Sequence, residues 1–293
     1  MPSLNHISLL LAFCFPHFCF SSPPGLAAIG AKVKLTDGVP TAAAVSGLPP
    51  EHYSVLATAT TLKSLSAAGK TLNDSILPLL APLAGLEEFS SDGLDLTDEG
   101  FRHFAQFPKL RSLSLFHPSR GNAAFTGAGL AHLQALPQLQ RLTFAGATAG
   151  DPALEAVARL SQLREFRAWH NTETAQGNAH LASMTWLTHL KIGQRLPRSK
   201  DTPASFDAAT IPLLAQMSGL QSLELTEAIL TASDLAPLAS LPGLRKLTIK
   251  NCAFPPADLD ALRTLLPQTE IIYTPMTPEE TEALLVKKLK LAL

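Results

Sequence analysis

Segments of the form Leu-x-x-Leu or Leu-x-x-Phe begin at Leu62, Leu86, Leu110, Leu139, Leu163, Leu187, Leu220 and Leu244, at intervals of 24, 24, 29, 24, 24, 33 and 24 residues. Five of the seven intervals are identical, and the two longer ones exceed them by 5 and 9, the pattern of loops inserted into a constant unit. A unit this short cannot cover its own apolar face. Neighbouring units must therefore stack, and the chain is constrained to a solenoid.

Each unit starts with an alternating stretch that reads as a short strand: LKSLSA, LEEFSS, LRSLSL, LQRLTF, LREFRA, LTHLKI, LQSLEL and LRKLTI. Apolar residues three apart follow, as in Leu77, Leu80 and Leu83, in Phe101, Phe104 and Phe107, and in Leu130, Leu133 and Leu136. That spacing predicts one face of a helix. Between the two lies a polar step, Asn73-Asp74, Thr97-Asp98 or Thr126-Gly127, whose side-chain oxygens are suited to cap the first free N–H groups.

The full pattern is LxxLxL, an apolar residue, Thr-Asp-x-Gly and LxxLxxLPx, clearest in LEEFSSDGLDLTDEGFRHFAQFPK and LQSLELTEAILTASDLAPLASLPG. It resembles the leucine-rich repeat family, in the 24-residue TDxGL variety frequent in exported bacterial proteins. Over residues 62–268 the resemblance implies an α/β fold: a right-handed horseshoe solenoid with parallel strands on the concave face and helices on the convex face. The fifth copy departs most, with Glu173 and Asn178 where apolar residues are expected, which predicts an irregular helix.

The ends need covers, because an open solenoid exposes a ladder edge. Residues 29–61 contain KVKLTDGVPTAAAVSG, whose Asp37-Gly38 pair predicts a hairpin turn, and then a degenerate first coil. Residues 269–293 contain EIIY, a final strand, and a stretch opening with Thr277, Pro278 and Glu280 in capping-box spacing. Lys287, Lys288 and Lys290 read as a solvated face at the end of that helix. Residues 1–22 contain no Lys, Arg, Asp or Glu, and ISLLLAFCFPHFCF is too short to span a bilayer. They read as a signal peptide, which predicts export to the periplasm, the cell surface or the medium, with no stable membrane insertion after its removal. Its loss would take Cys14 and Cys19 and leave Cys252 alone, without a disulfide or a cysteine-built zinc site.

A net charge of -1 provides no general attraction for nucleic acid or an anionic membrane. No GxSxG, HExxH or paired-carboxylate signature is present, and no cofactor is implied. GNAAFTGAG lacks the Lys and Ser/Thr of a phosphate-binding loop and coincides with the first insertion. His170 and His180 lack metal-ligand partners in a known pattern and read as surface residues. Cys252 reads as a buried small hydrophobe, and Asn73 as a cap although it heads an Asn-Asp-Ser acceptor sequence.

In LxxLxL the leucines point inward, so the residues between them face the concave side. This places Arg141, Arg167, Trp169, His189 and Lys191 on that face. Both insertions follow a strand and emerge on one rim, carrying His117 and Arg120 in one, and Arg195, Arg198 and Lys200 in the other. Charge shifts along the chain, from a net of -4 over 51–109 to +3 over 110–268. These ten residues are the candidate site for a protein or polymeric ligand, with an anionic one favoured. Trp and Arg are the residue types most enriched at binding hot spots. The function this predicts is a non-enzymatic exported binding module; a structural or adhesive envelope component is second, and a cryptic hydrolase third. As loops outside the repeated core, the insertions are expected to be dispensable for stability.

Overall fold

The computed structural model describes residues 24–197, 199 and 201–292, so the leader lies outside the described residues. Eleven strands form one sheet in chain order. β1 (Lys32–Thr36) and β2 (Val39–Ser46) make an antiparallel hairpin that reverses at Asp37 and Gly38, both with positive φ. The rest run parallel: β3 (Ser64–Ala68), β4 (Glu88–Asp92), β5 (Ser112–Phe116), β6 (Arg141–Ala145), β7 (Glu165–Trp169), β8 (His189–Ile192), β9 (Ser222–Thr226), β10 (Lys246–Lys250) and β11 (Glu270–Tyr273). Each of β3–β10 starts two residues after the leading leucine of its repeat. The register stacks Leu65, Phe89, Leu113, Leu142, Phe166, Leu190, Leu223 and Leu247 in one buried ladder. The fold is an α/β solenoid of the leucine-rich-repeat type.

On the convex side most of the expected helices are 3₁₀ turns: Leu77–Leu83, Glu99–Gln106, Ala128–Ala135, Gly177–Ser183 and Ala236–Ser240. With three residues per turn, side chains at i and i+3 eclipse. A strict three-residue apolar spacing therefore buries every member of the stripe, and Phe101, Phe104 and Phe107 are all fully covered. The fifth copy keeps this form, with Glu173 and Asn178 both buried.

The polar steps do more than cap. Asn73 Oδ1 accepts the N–H groups of Ser75 and Ile76 at 3.0 and 3.2 Å, as a local cap does. The aspartates instead reach forward one coil. Asp74 takes Thr97 N–H at 3.0 Å and its hydroxyl at 2.6 Å, and Asp151 takes the same two groups of Thr174 at 2.7 and 2.8 Å. Asp98 takes the Thr126 hydroxyl and three N–H groups, those of Thr126, Gly127 and Gly129. The TDxG signature is thus a staple between coils.

The two insertions are built into the solenoid, which corrects the expectation that they are dispensable loops. In the first, Ser119 is buried with its hydroxyl on Leu96 O at 2.6 Å, and Phe125 stacks on Phe101 at 5.3 Å between centroids. In the second, the buried Gln194 side chain bonds to the carbonyl of Phe206, the repeat residue that follows the insertion, and accepts Ser205 N–H at 3.1 Å. The physical reason is that each insertion returns apolar and hydroxyl side chains to the core before the next turn begins. No helix of the described residues is long and apolar enough to cross a membrane.

Candidate concave binding face

The sheet register sets the face out as three columns of side chains. From β2 to β5 it presents Ala42, Ala44, Ser46, Ser64, Ser66, Ala68, Ser90, Ser112 and Ser114, interrupted only by Glu88, Asp92 and Phe116. From β6 onward charged residues and Trp169 alternate with small ones such as Thr143, Ala145 and Ser222. The two halves meet at Phe116 and Trp169. These occupy equivalent positions two strands apart, with Ala145 between them in register. Ala145 has no bulk to separate them, so the rings meet across it at 6.2 Å between centroids, tilted by 60°. Lys191 Nζ lies 4.7 Å from the Trp169 ring centroid, within cation–π range. Trp169 is half-buried by this company. The sequence pattern puts Phe116 on the same face as Trp169, but the candidate site included only Trp169; the signal available was an aromatic at the same repeat position two coils earlier.

The predicted cations on this face are paired. Lys191 Nζ is 2.8 Å from Glu224 Oε1, Arg141 Nη2 is 3.2 Å from Glu88 Oε1, and Arg167 Nε bonds Glu165 Oε1 on its own strand. His189 Nδ1 bonds the Thr188 hydroxyl at 2.9 Å and its ring is exposed. On the rim, His117 Nδ1 faces Asp92 Oδ1 at 2.8 Å and Arg120 is exposed. The backbone N–H of Arg195 donates to Ser205 Oγ at 2.9 Å, and its side-chain Nε is buried. Arg198 and Lys200 lie outside the described residues. Phe116, Trp169, Arg167 and Lys191 are thus brought together, whereas Arg195 is drawn away from them.

Two polar features of the rim escaped the sequence reading. His170 is not a free surface residue: its Nε2 lies 2.9 and 3.0 Å from the two oxygens of Glu227, two coils on. Both residues leave their strands with positive φ, 59° and 63°, a conformation that costs about 1 kcal/mol or more outside glycine. The second feature is a group of buried polar atoms near the second insertion, Glu173 Oε2, Asn178 Oδ1 and Arg195 Nε, that have no hydrogen-bond partner among the described residues. Asn178 Nδ2 donates to Ser205 O, so Ser205 links Asn178 to Arg195. Burial pushes the Glu173 carboxyl up to about 7, against the pull of its own N–H and of Arg195, with nearby Asp151 adding to the rise.

Cys252 is buried, and burial pushes its thiol up to about 11, so at neutral pH it is a protonated core residue. Among the described residues no group of three His, Cys, Asp or Glu side chains is arranged to hold a metal ion.

No family model matches the chain, and no curated protein does. Among solved structures it is similar to an internalin C2 from Listeria monocytogenes, at 18% identity over 78% of this chain and 84% of that one, with a TM-score of 0.44. The fold assignment rests on the register and the repeat geometry of this chain itself.

Proposed function

We propose that this chain is an exported, non-enzymatic binding module that takes a protein or polymeric partner on its concave face, anchored at the Phe116–Trp169 ledge. The observation that carries this reading is the ledge: two aromatic rings held against each other in the middle of the sheet face. Large aromatics fixed by neighbours lose little side-chain freedom on binding, which is why they dominate hot spots. The smooth Ala/Ser field from β2 to β5 lets a partner approach closely beside the ledge.

The ion pairs refine the partner's chemistry. Since Arg141, Arg167, Lys191 and His117 each face a carboxylate, the face around the ledge presents alternating charges and not one positive field. That favours a partner with mixed polar groups over a uniformly anionic polymer. The test is to compare the wild-type chain with the Phe116→Ala, Trp169→Ala double variant as bait for the host's exported proteins, and then to measure the affinity of the recovered partner. Recovery should fall sharply in the variant; equal recovery and equal affinity would remove the ledge from the interface.

A further inference from the structure

The described hydrogen bonds of residues 277–292 close within that stretch. Thr277 opens it with a reciprocal cap, its hydroxyl accepting Glu280 N–H at 3.2 Å while Glu280 Oε2 accepts Thr277 N–H at 2.9 Å. The helix Pro278–Thr281 runs into a π-wound stretch, Glu282–Lys288, where Lys287 pairs with Glu282 at 3.6 Å. Leu289, Lys290 and Leu291 donate back to Leu284, Val286 and Leu285. Among the described residues, no hydrogen bond or ion pair ties 277–292 to the solenoid.

What holds the segment is apolar contact. Leu285, Leu289 and Leu291 are buried against Leu196, Ala204, Ile229 and Ala253, in a cluster that shares no residue with the main core. Those four partners follow β8, β9 and β10, so they form one apolar strip along the strand-exit rim. Open clefts of about 320 and 440 Å³ border the segment and meet at Ile229. Charge sets the direction, because Asp201 and Asp207 line the larger cavity with Lys290.

We propose that this rim strip is a second interaction surface, shaped for a short helical turn that buries Leu285 and Leu289 and is followed by Leu291 in non-helical chain, and that its partner is the C-terminal segment of a second copy. Exchange between copies remakes the same contacts, so it sacrifices no interface and needs only the connection at 274–277 to open. A segment fixed by three leucines opens well before the stacked coils do. The proposal is independent of the concave face, which the strip does not include.

The experiment is light scattering on the full chain over a wide concentration range, with Leu285→Asp, Leu289→Asp as the uncoupled variant. Wild type should show a dimer fraction that rises with concentration, and the variant should stay monomeric while keeping the main unfolding transition. A labelled peptide of residues 277–292 should bind the variant at least about tenfold more tightly than wild type, whose tethered segment competes. Ala253→Glu, on the solenoid side, should abolish the dimer without touching the segment. A wild type that is monomeric throughout, a dimer that survives Ala253→Glu, or a peptide that ignores the uncoupled variant would each overturn the proposal.

Discussion

A Cβ placed on Gly100 would lie 1.9 Å from Asp74 Oδ1, the same oxygen that accepts the Thr97 N–H one coil ahead. The glycine of Thr-Asp-x-Gly is therefore a notch for the preceding coil's aspartate; it has no left-handed backbone to serve. Gly100→Ala should lower stability by about 1–3 kcal/mol through overpacking. Chemical denaturation of a double-mutant cycle checks the cause, since the cost should shrink in an Asp74→Ala background.

Asp98 makes the same staple with four donors. Burial disfavours its charge, but the Thr126 hydroxyl and the N–H groups of Gly129, Thr126 and Gly127 outweigh that and hold the carboxyl below its usual range. A lowered folded-state value means that the staple's contribution is complete above the ordinary aspartate range and is lost as pH falls through the folded value. Wild type should lose melting temperature on acidification below about pH 4. Asp98→Asn should start lower at neutral pH and lose less over that step.

The period, the strand register and the buried ladder were legible because each is written locally: Leu62 to Leu65 and Leu86 to Phe89 repeat the same alternation 24 residues apart. What was not legible joins residues a coil or more apart. Asp98 looks like a local cap until the next coil places Gly129 against it. Arg141 and Arg167 look like free cations until the register brings Glu88 near one and the rotamer turns Glu165 to the other. The insertions looked like ornaments because nothing local reveals that Ser119, Gln194 and Ser205 bond back into the interior.

Glu173 should make the protein more stable in mild acid than its other carboxylates would suggest. Burial raises its folded-state value to about 7 from 4.5, so the folded chain keeps a proton that the unfolded chain releases. This group's effect on stability is therefore neutral below pH 4.5 and increasingly unfavourable as pH rises toward 7, reaching a penalty on the order of 3 kcal/mol. Glu173→Gln should be more stable than wild type at pH 8, with the gap closing by about pH 4.5, as read from denaturant midpoints across pH.

Removing the nine residues by which the sixth repeat exceeds the common unit should cost stability. The deletion disturbs Gln194, Ser205 and Phe206, all buried, and frees Leu196 and Ala204 from the C-terminal leucines. Phe206→Ala alone should cost about 3–5 kcal/mol. An unchanged thermal transition in either protein would mean that the insertion does not pack as it does here.

The last expectation separates the ledge from the charges around it. Phe116 and Trp169 gain binding energy by excluding water, which acts after encounter, so Trp169→Ala should mainly speed dissociation of a captured partner. Arg141 and Arg167 are about half exposed and already face carboxylates, so each exposed pair is worth about 1 kcal/mol or less. Arg141→Ala and Arg167→Ala together should therefore change the association rate only modestly and leave its salt dependence shallow. Lys191 differs: it is more buried, with one carboxylate at 2.8 Å and the Trp169 ring at 4.7 Å. Lys191→Met keeps the stem and removes the charge, loosening the ring while leaving Glu224 unpaired. It should speed dissociation as Trp169→Ala does, though less. If Lys191→Met instead slows association and flattens its response to salt, the lysine acts as a steering charge and not as the support of the ring.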